Sequence, residues 1–273
     1  MPFSIVLSTQ PAAFSALAYK GRLKENLDSI KKFGYDGVEL AVRDPRLMDL
    51  DELHRTLKEI DLPVPAVGTG QAYGEDGLSL THPNPEIRRQ ATERIRSHVD
   101  FAVSFNAVVV IGLIRGRKET EVTQDRAESW LLEALRECAR ANPSARLALE
   151  PINRYETNLL NSVDAALRFL DRLAADNVGL LLDTFHMNIE EPSIAASIES
   201  AKDRLFHIHV ADSNRWYPGA GHIDFAAIIS TLDRVGYRGF LSAEILPCPD
   251  SDTAAERAIR HLHRFVALGQ DHA

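Results

Sequence analysis

From one end of the chain to the other, short runs of β type alternate with longer helical patterns, and no break in composition interrupts them. The β-type runs are Phe3 to Ser8, Gly37 to Val42, Val64 to Gly68, Ala107 to Leu113, Ala145 to Glu150, Val178 to Asp183, Leu205 to Val210 and Gly239 to Glu244. Each leads into a helical segment. Strands joined through helices lie parallel in one sheet, and eight such units favour a closed (β/α)8 TIM barrel over an open doubly wound sheet. The length of 273 residues sits close to the roughly 250 of a typical barrel. Residues 1–273 are therefore expected to form a single α/β barrel domain.

The helices carry the matching pattern. Ile87, Ala91, Ile95, Val99 and Val103 recur every four residues and predict an apolar stripe against the sheet, with Arg88, Arg89, Glu93 and Arg96 toward solvent. Thr123, Ser162 and Pro192-Ser193 are helix start signals. Gly68 to Pro85, rich in turn formers, reads as a long loop after the third strand, the kind of segment that covers an active site.

Several function classes are disfavoured. A formal charge of −8 argues against nucleic acid as a partner, because such binding needs clustered Lys and Arg to displace counterions. Cys138 and Cys248 are far apart and form neither a disulfide framework nor a thiolate zinc site. The N-terminus lacks the basic and apolar regions of a signal peptide, and no window has the 18 or so apolar residues of a membrane span. A cytoplasmic, unprocessed protein with no membrane partner is expected. Gly68-Thr-Gly70-Gln-Ala-Tyr-Gly74 has the wrong glycine spacing for a dinucleotide loop and does not open directly onto a helical pattern.

The chemistry gathers at four strand ends. Leu147-Ala-Leu-Glu150, Leu180-Leu-Leu-Asp183, Phe206-His-Ile-His209 and Phe240-Leu-Ser-Ala-Glu244 each run from apolar residues onto a metal-type ligand. In a barrel, the C-terminal strand ends form the active-site mouth. Residues two apart share a strand face, so Ala148 with Glu150, Leu181 with Asp183, His207 with His209 and Ser242 with Glu244 point the same way. Three carboxylates and an imidazole in a poorly solvated mouth repel one another unless a cation neutralises them. A divalent metal is the simplest resolution, and the oxygen-rich set suits Mn²⁺, Mg²⁺ or Co²⁺ better than structural zinc, with catalytic zinc still open.

A lone carboxylate at a strand end is more often a loop cap or an ion-pair partner than a ligand; four metal-type donors on consecutive strands are harder to dismiss. His207 reads as a hydrogen-bonded interior residue or as one that supports a ligand from behind. His186, three residues past Asp183, either turns into the mouth or caps Asn188. Arg115 and Arg117 either bind an anionic group or sit in solvent. His54, His98, His261, His263 and His272 fall on helices or the tail and are expected at the surface.

These residues resemble the xylose-isomerase-like superfamily of metal-dependent barrels and, within it, the ketose 3-epimerases, over essentially the whole chain. The resemblance implies a single divalent metal, usually Mn²⁺, on Glu150, Asp183, His209 and Glu244, with Glu156, His186 and Arg215 contacting substrate. Ser8-Thr-Gln-Pro-Ala-Ala-Phe14, Ala18-Tyr-Lys-Gly21, Gly68-Thr-Gly-Gln-Ala-Tyr73, Gly77-Leu-Ser-Leu-Thr-His-Pro83 and Ile111-Gly-Leu-Ile-Arg-Gly-Arg117 look closest to the 5-keto-L-gluconate epimerase branch, which acts on keto-hexonates. Arg115 or Arg117 would then pair with a substrate carboxylate. Relatives of this kind commonly form homo-oligomers.

The expected reaction is inversion at C3 of a ketose or keto-hexonate of the 5-keto-L-gluconate or D-tagaturonate type. Two glutamates, Glu150 and Glu244, would exchange a proton on opposite faces of the sugar through an enediolate held by the metal. General acid–base catalysis contributes roughly 10²- to 10⁴-fold, so metal and fixed dipoles must add several kcal/mol. Alternatives are a 3-epimerase of free ketoses such as tagatose, fructose or ribulose, and an aldose–ketose isomerase of the hydroxypyruvate isomerase type. A dehydratase of the inosose type, a metal-dependent phosphodiesterase and a non-catalytic sugar-binding barrel stand further off.

Overall fold

The strand register closes on itself. In a computed structural model describing residues 1–268, Phe3–Ser8 (β1) pairs with Gly37–Ala41 (β2). The order continues through Ala66–Gly68 (β3), Val108–Ile111 (β4), Arg146–Leu149 (β5), Val178–Asp183 (β6), Leu205–Val210 (β7) and Leu241–Ala243 (β8). The last strand returns to the first, with Ser4 opposite Ser242. All the pairings are parallel, and a two-residue strand at Tyr19–Lys20 flanks the end of β1. Among the described residues this is the expected closed barrel.

Strand alternation divides the core into two layers. Ala66, Val108, Val110, Ala148 and Leu181 form a cluster of their own inside the barrel. Their neighbours Val38, Leu40, Val109, Leu147, Leu149, Leu180 and Leu182 belong to the larger cluster shared with the surrounding helices. Glu39 lies between Val38 and Leu40, so it faces the barrel interior, where it is buried.

Helix Pro85–Val103 buries Ala91, Ile95 and Val99 as predicted, whereas Val103 is exposed and Phe101 and Ala102 are buried in its place. A four-residue repeat drifts about 40° per step on a helix of 3.6 residues per turn, so the ends of a long stripe rotate off the packed face. The predicted caps hold: Thr123, Ser162 and Ser193 each accept a hydrogen bond from the backbone N–H three residues on.

Three readings need correction. His98 is fully buried, its Nδ1 2.8 Å from the Arg94 carbonyl and its Nε2 2.8 Å from the Val42 carbonyl, because its side of the helix faces the end of β2. His54 and His261 are partly buried and His263 is exposed, while His272 lies outside the described residues. The segment after β3 opens onto a short helix, Gly70–Gly74, rather than remaining a loop throughout. The fourth strand stops at Ile111, where Gly112 at φ −88° and ψ −122° turns the chain into a 3-10 turn over Leu113–Arg115. No helix among the described residues is long and apolar enough to cross a membrane.

Candidate metal centre and active site

Glu150 and Glu244 are the first residues beyond β5 and β8, Asp183 ends β6, and His209 is the penultimate residue of β7. One donor atom from each lies within 4.8 Å of the others. Asp183 also caps the helix that follows, its Oδ1 accepting from Phe185 N at 2.8 Å, which leaves Oδ2 unpaired. Glu150 Oε1 and His209 Nδ1 are likewise buried without a partner. Orphaned buried polar atoms are uncommon because each costs about 1–3 kcal/mol. Three converging on one point, all of them metal-type donors, fit a divalent cation.

The electrostatics agree. Burial first, then the nearby Glu244, pushes the Glu150 carboxyl up to about 8. Burial also raises the Asp183 and Glu244 carboxyls above their usual range. Burial alone would pull the His209 imidazole down, but the Glu39 and Glu244 carboxylates outweigh it and raise that group to about 10. The cluster thus tends to hold protons, which a metal would displace.

His209 Nε2 lies 3.0 and 3.1 Å from the two oxygens of Glu39, and His207 Nε2 lies 2.8 Å from Glu39 Oε2. Burial works against the Glu39 charge, but the two imidazoles hold its carboxyl well below the usual range. His207 is thus an interior hydrogen-bonded residue, as read from the sequence. Glu39 itself was missed, although a lone charge inside the apolar run Gly37-Val-Glu39-Leu-Ala-Val42 is a detectable signal.

A second group of polar side chains lies beside the first. Asn153 Oδ1 accepts from Tyr155 N at 2.9 Å, which directs Nδ2 toward His186 Nδ1 at 2.7 Å and Glu156 Oε1 at 3.0 Å. His186 therefore accepts at Nδ1 and carries its hydrogen on Nε2, which lies 3.6 Å from Glu150 and 3.8 Å from Asp183. Burial, with Arg215 and Arg115 nearby, lowers its pKa well below the ordinary value, so the ring is neutral. Arg215 bonds Glu156 Oε1 at 2.7 Å and Glu244 Oε2 at 2.9 Å, between the rings of Phe14 and Phe185. It sits at φ 61° in a loop gathered by Asp212, whose carboxylate accepts from the backbone N–H groups of Ser213, Gly219 and Ile223.

These side chains border a cavity of about 220 Å³. That is small beside the roughly 300–1,000 Å³ of pockets for drug-sized ligands, and it suits a small metabolite. Arg115 and Arg117 are not among its lining residues. Arg115 is fully buried, donating from Nη2 to the Leu159 carbonyl at 2.9 Å, and burial pushes its guanidinium down to about 10. Arg117 is exposed, and its carbonyl accepts from Thr81 Oγ1. The Gly112 to Arg117 stretch packs against the segment after β3, with Leu80 N donating to the Ile114 carbonyl.

Residues 27–265 match the family model described as the xylose isomerase-like TIM barrel. An L-ribulose 3-epimerase of Mesorhizobium japonicum is 28% identical over 95% of this chain and 92% of that protein. A second L-ribulose 3-epimerase, from a Methylomonas species, is 34% identical over 77% of this chain and 74% of its own length. The solved D-allulose 3-epimerase from Methylomonas, in complex with D-allulose, superposes with a TM-score of 0.80 at 26% identity, covering 96% of this chain and 97% of that one. The chain belongs to the xylose isomerase-like TIM barrel family, among its sugar epimerases.

Proposed function

We propose that this chain is a divalent-metal-dependent epimerase that inverts the carbinol carbon beside a carbonyl, C3 of a ketose or of a keto-hexonate of the 5-keto-L-gluconate or D-tagaturonate type. The observation that carries it is the pair of carboxyls, the buried Glu150 and the partly buried Glu244, which follow β5 and β8 on different sides of one mouth. Glu150, Asp183, His209 and Glu244 would hold the metal, with Mn²⁺ the proposed ion. A bound divalent cation would supply Lewis-acid polarisation of the substrate oxygens and offset the negative charge of the cluster.

The side chains suit the remaining work. One glutamate takes the C3 hydrogen as a proton, leaving the electron pair delocalised into the carbonyl as an enediolate. The other, already protonated, returns a proton to the opposite face, and the pair exchange roles in the reverse direction. The neutral His186 offers its Nε2 hydrogen to a substrate oxygen. Arg215 and Asn153 orient Glu156 and Glu244.

The keto-hexonate form follows the sequence of the loops around the mouth. A neutral ketose is the second reading, and the charge of the lining favours it: Glu39, Glu75, Glu150, Glu156 and Glu244 face a single guanidinium, that of Arg215, already paired. Rates with tagaturonate against tagatose, fructose and ribulose separate the two. Glu150→Gln and Glu244→Gln should each lower turnover by at least about 10²-fold, chelation by EDTA should abolish it, and Mn²⁺ should restore it. Solvent deuterium should enter at C3. Label appearing only at C1 would reassign the chain as an aldose–ketose isomerase.

A further inference from the structure

The cluster at the base of the mouth has one member that the proposed reaction does not use. Glu39 comes from β2, across the barrel from β7, and reaches two histidines of that strand, 168 and 170 residues away in sequence. All three side chains are at most 2% exposed. A neutral imidazole has one N–H and one lone pair, and the partner of one nitrogen decides which is which. His209 Nε2 faces a carboxylate, so in the neutral ring that a metal would bind the hydrogen resides on Nε2 and the lone pair on Nδ1. Nδ1 lies on the side of the donor set, 3.9 Å from Glu244 Oε2, and has no hydrogen-bond partner. His207, two residues earlier and on the same strand face, gives Glu39 Oε2 a second N–H at 2.8 Å. Without it the carboxylate would be free to rotate away.

We propose that Glu39 is a positioning residue for the metal centre, fixing the tautomer and orientation of His209, and that His207 is the strut that holds Glu39 in place. The inference rests on reading the four strand-end donors as a metal site, and it deepens that reading. Glu39 acts through His209 and does not touch the metal. The three residues alone also have metal-ligating chemistry, with donor atoms grouped as closely as in the main site. Their N···O separations of 2.8–3.1 Å are those of N–H···O hydrogen bonds, and the geometry needs no second ion.

The test measures metal affinity and ring tautomer without sugar, so its result is separate from that of the epimerase reading. Co²⁺ is titrated into the metal-free protein and followed by visible absorbance, and long-range ¹H–¹⁵N spectra read the His209 ring. Wild type should bind one equivalent of Co²⁺ and, once diamagnetic Zn²⁺ has displaced the second ring proton, should show the Nε2–H tautomer. Glu39→Gln should bind Co²⁺ about 10- to 100-fold more weakly, the range for loss of an outer partner of a metal-binding histidine. His207→Phe should weaken it less, and the double variant should be no worse than Glu39→Gln alone, because His207 acts through Glu39. Glu39→Asp keeps the charge but shortens the reach, and it should also weaken binding if Glu39→Gln does not fold. Unchanged Co²⁺ affinity in both Glu39 variants overturns the proposal. So does a second equivalent of Co²⁺ in the wild type that disappears with Glu39→Gln, because Glu39 would then be a ligand.

Discussion

Asn153→Asp changes one atom type and should reverse the chemistry of His186. In the native site Asn153 Nδ2 supplies hydrogens to His186 Nδ1 at 2.7 Å and to Glu156 Oε1 at 3.0 Å. Aspartate supplies neither. As long as the ring stays neutral, His186 can satisfy the new oxygen only by moving its hydrogen to Nδ1, which strips the donor from Nε2, the nitrogen 3.6 Å from Glu150 and 3.8 Å from Asp183. The new carboxylate also stands about 3 Å from Glu156, a gross repulsion of roughly 5 kcal/mol at an effective dielectric near 20. Glu156 is about a quarter exposed, so rotation and water take up most of that repulsion, and the loosening of Glu156 is what remains. Loss of a positioned hydrogen bond to a developing charge costs about 1.5–3 kcal/mol, or roughly a 10- to 150-fold fall in kcat/KM. Initial rates on a ketohexose, with ¹⁵N spectra of the His186 ring, check both halves. A variant that keeps kcat/KM within a factor of about two and retains the Nε2–H tautomer refutes the reasoning.

Two further outcomes follow from buried polar groups elsewhere. Burial, aided by the Arg94 charge, lowers the pKa of His98, outweighing its contacts with the Val42 and Arg94 carbonyls and the influence of Asp44. The unfolded ring takes a proton near pH 6.5 and the buried ring resists it, so the contribution to stability is complete above that pH. It is lost as the pH falls toward the depressed folded value, by up to about 1.4 kcal/mol per unit. Urea unfolding from pH 7.5 to 5 should therefore be less steep in pH for His98→Gln than for wild type, and equal slopes would contradict the assignment. Gln71 lines the cavity 5% exposed, and its Nε2 donates to Ser8 Oγ, whose own hydrogen goes to the Gln10 carbonyl. That chain of donors leaves Gln71 Oε1 unpaired, and under the proposed function it is expected to accept from a hydroxyl on the end of the sugar remote from the reacting carbons. Gln71→Met should raise KM for a ketohexose by about tenfold and leave a ketotetrose unchanged, and an equal rise on both would remove Gln71 from substrate recognition.

Much of this protein is legible in one dimension because its repeating unit is short. Each βα unit announces itself through a change of period, and each barrel strand begins or ends within about three residues of its expected limits. Glu150, Asp183, His209 and Glu244 could be brought together on paper because a barrel places all its C-terminal strand ends at one mouth and the two-residue alternation sets which side chains point inward. The caps at Thr123, Ser162 and Ser193 were equally readable, since a cap is a contact across three residues.

The missed features depend on contacts between distant units. Glu39 is an isolated acid in an apolar strand until closure of the barrel sets β2 across from β7, and only then does it acquire two histidines. His98 has the sequence surroundings of a surface residue, and the approach of the Val42 carbonyl to that side of the helix decides otherwise. Arg115 and Arg117 stand two residues apart with the same charge. The turn begun at Gly112 sends one inward beneath Leu159 and leaves the other in solvent. By itself the sequence determined the barrel and the donors at its rim, because both follow from local period. The tertiary structure alone decided which nitrogen of each histidine is free and which charges are paired, because a proton's position depends on the nearest atom in space, however far away that atom lies in the chain.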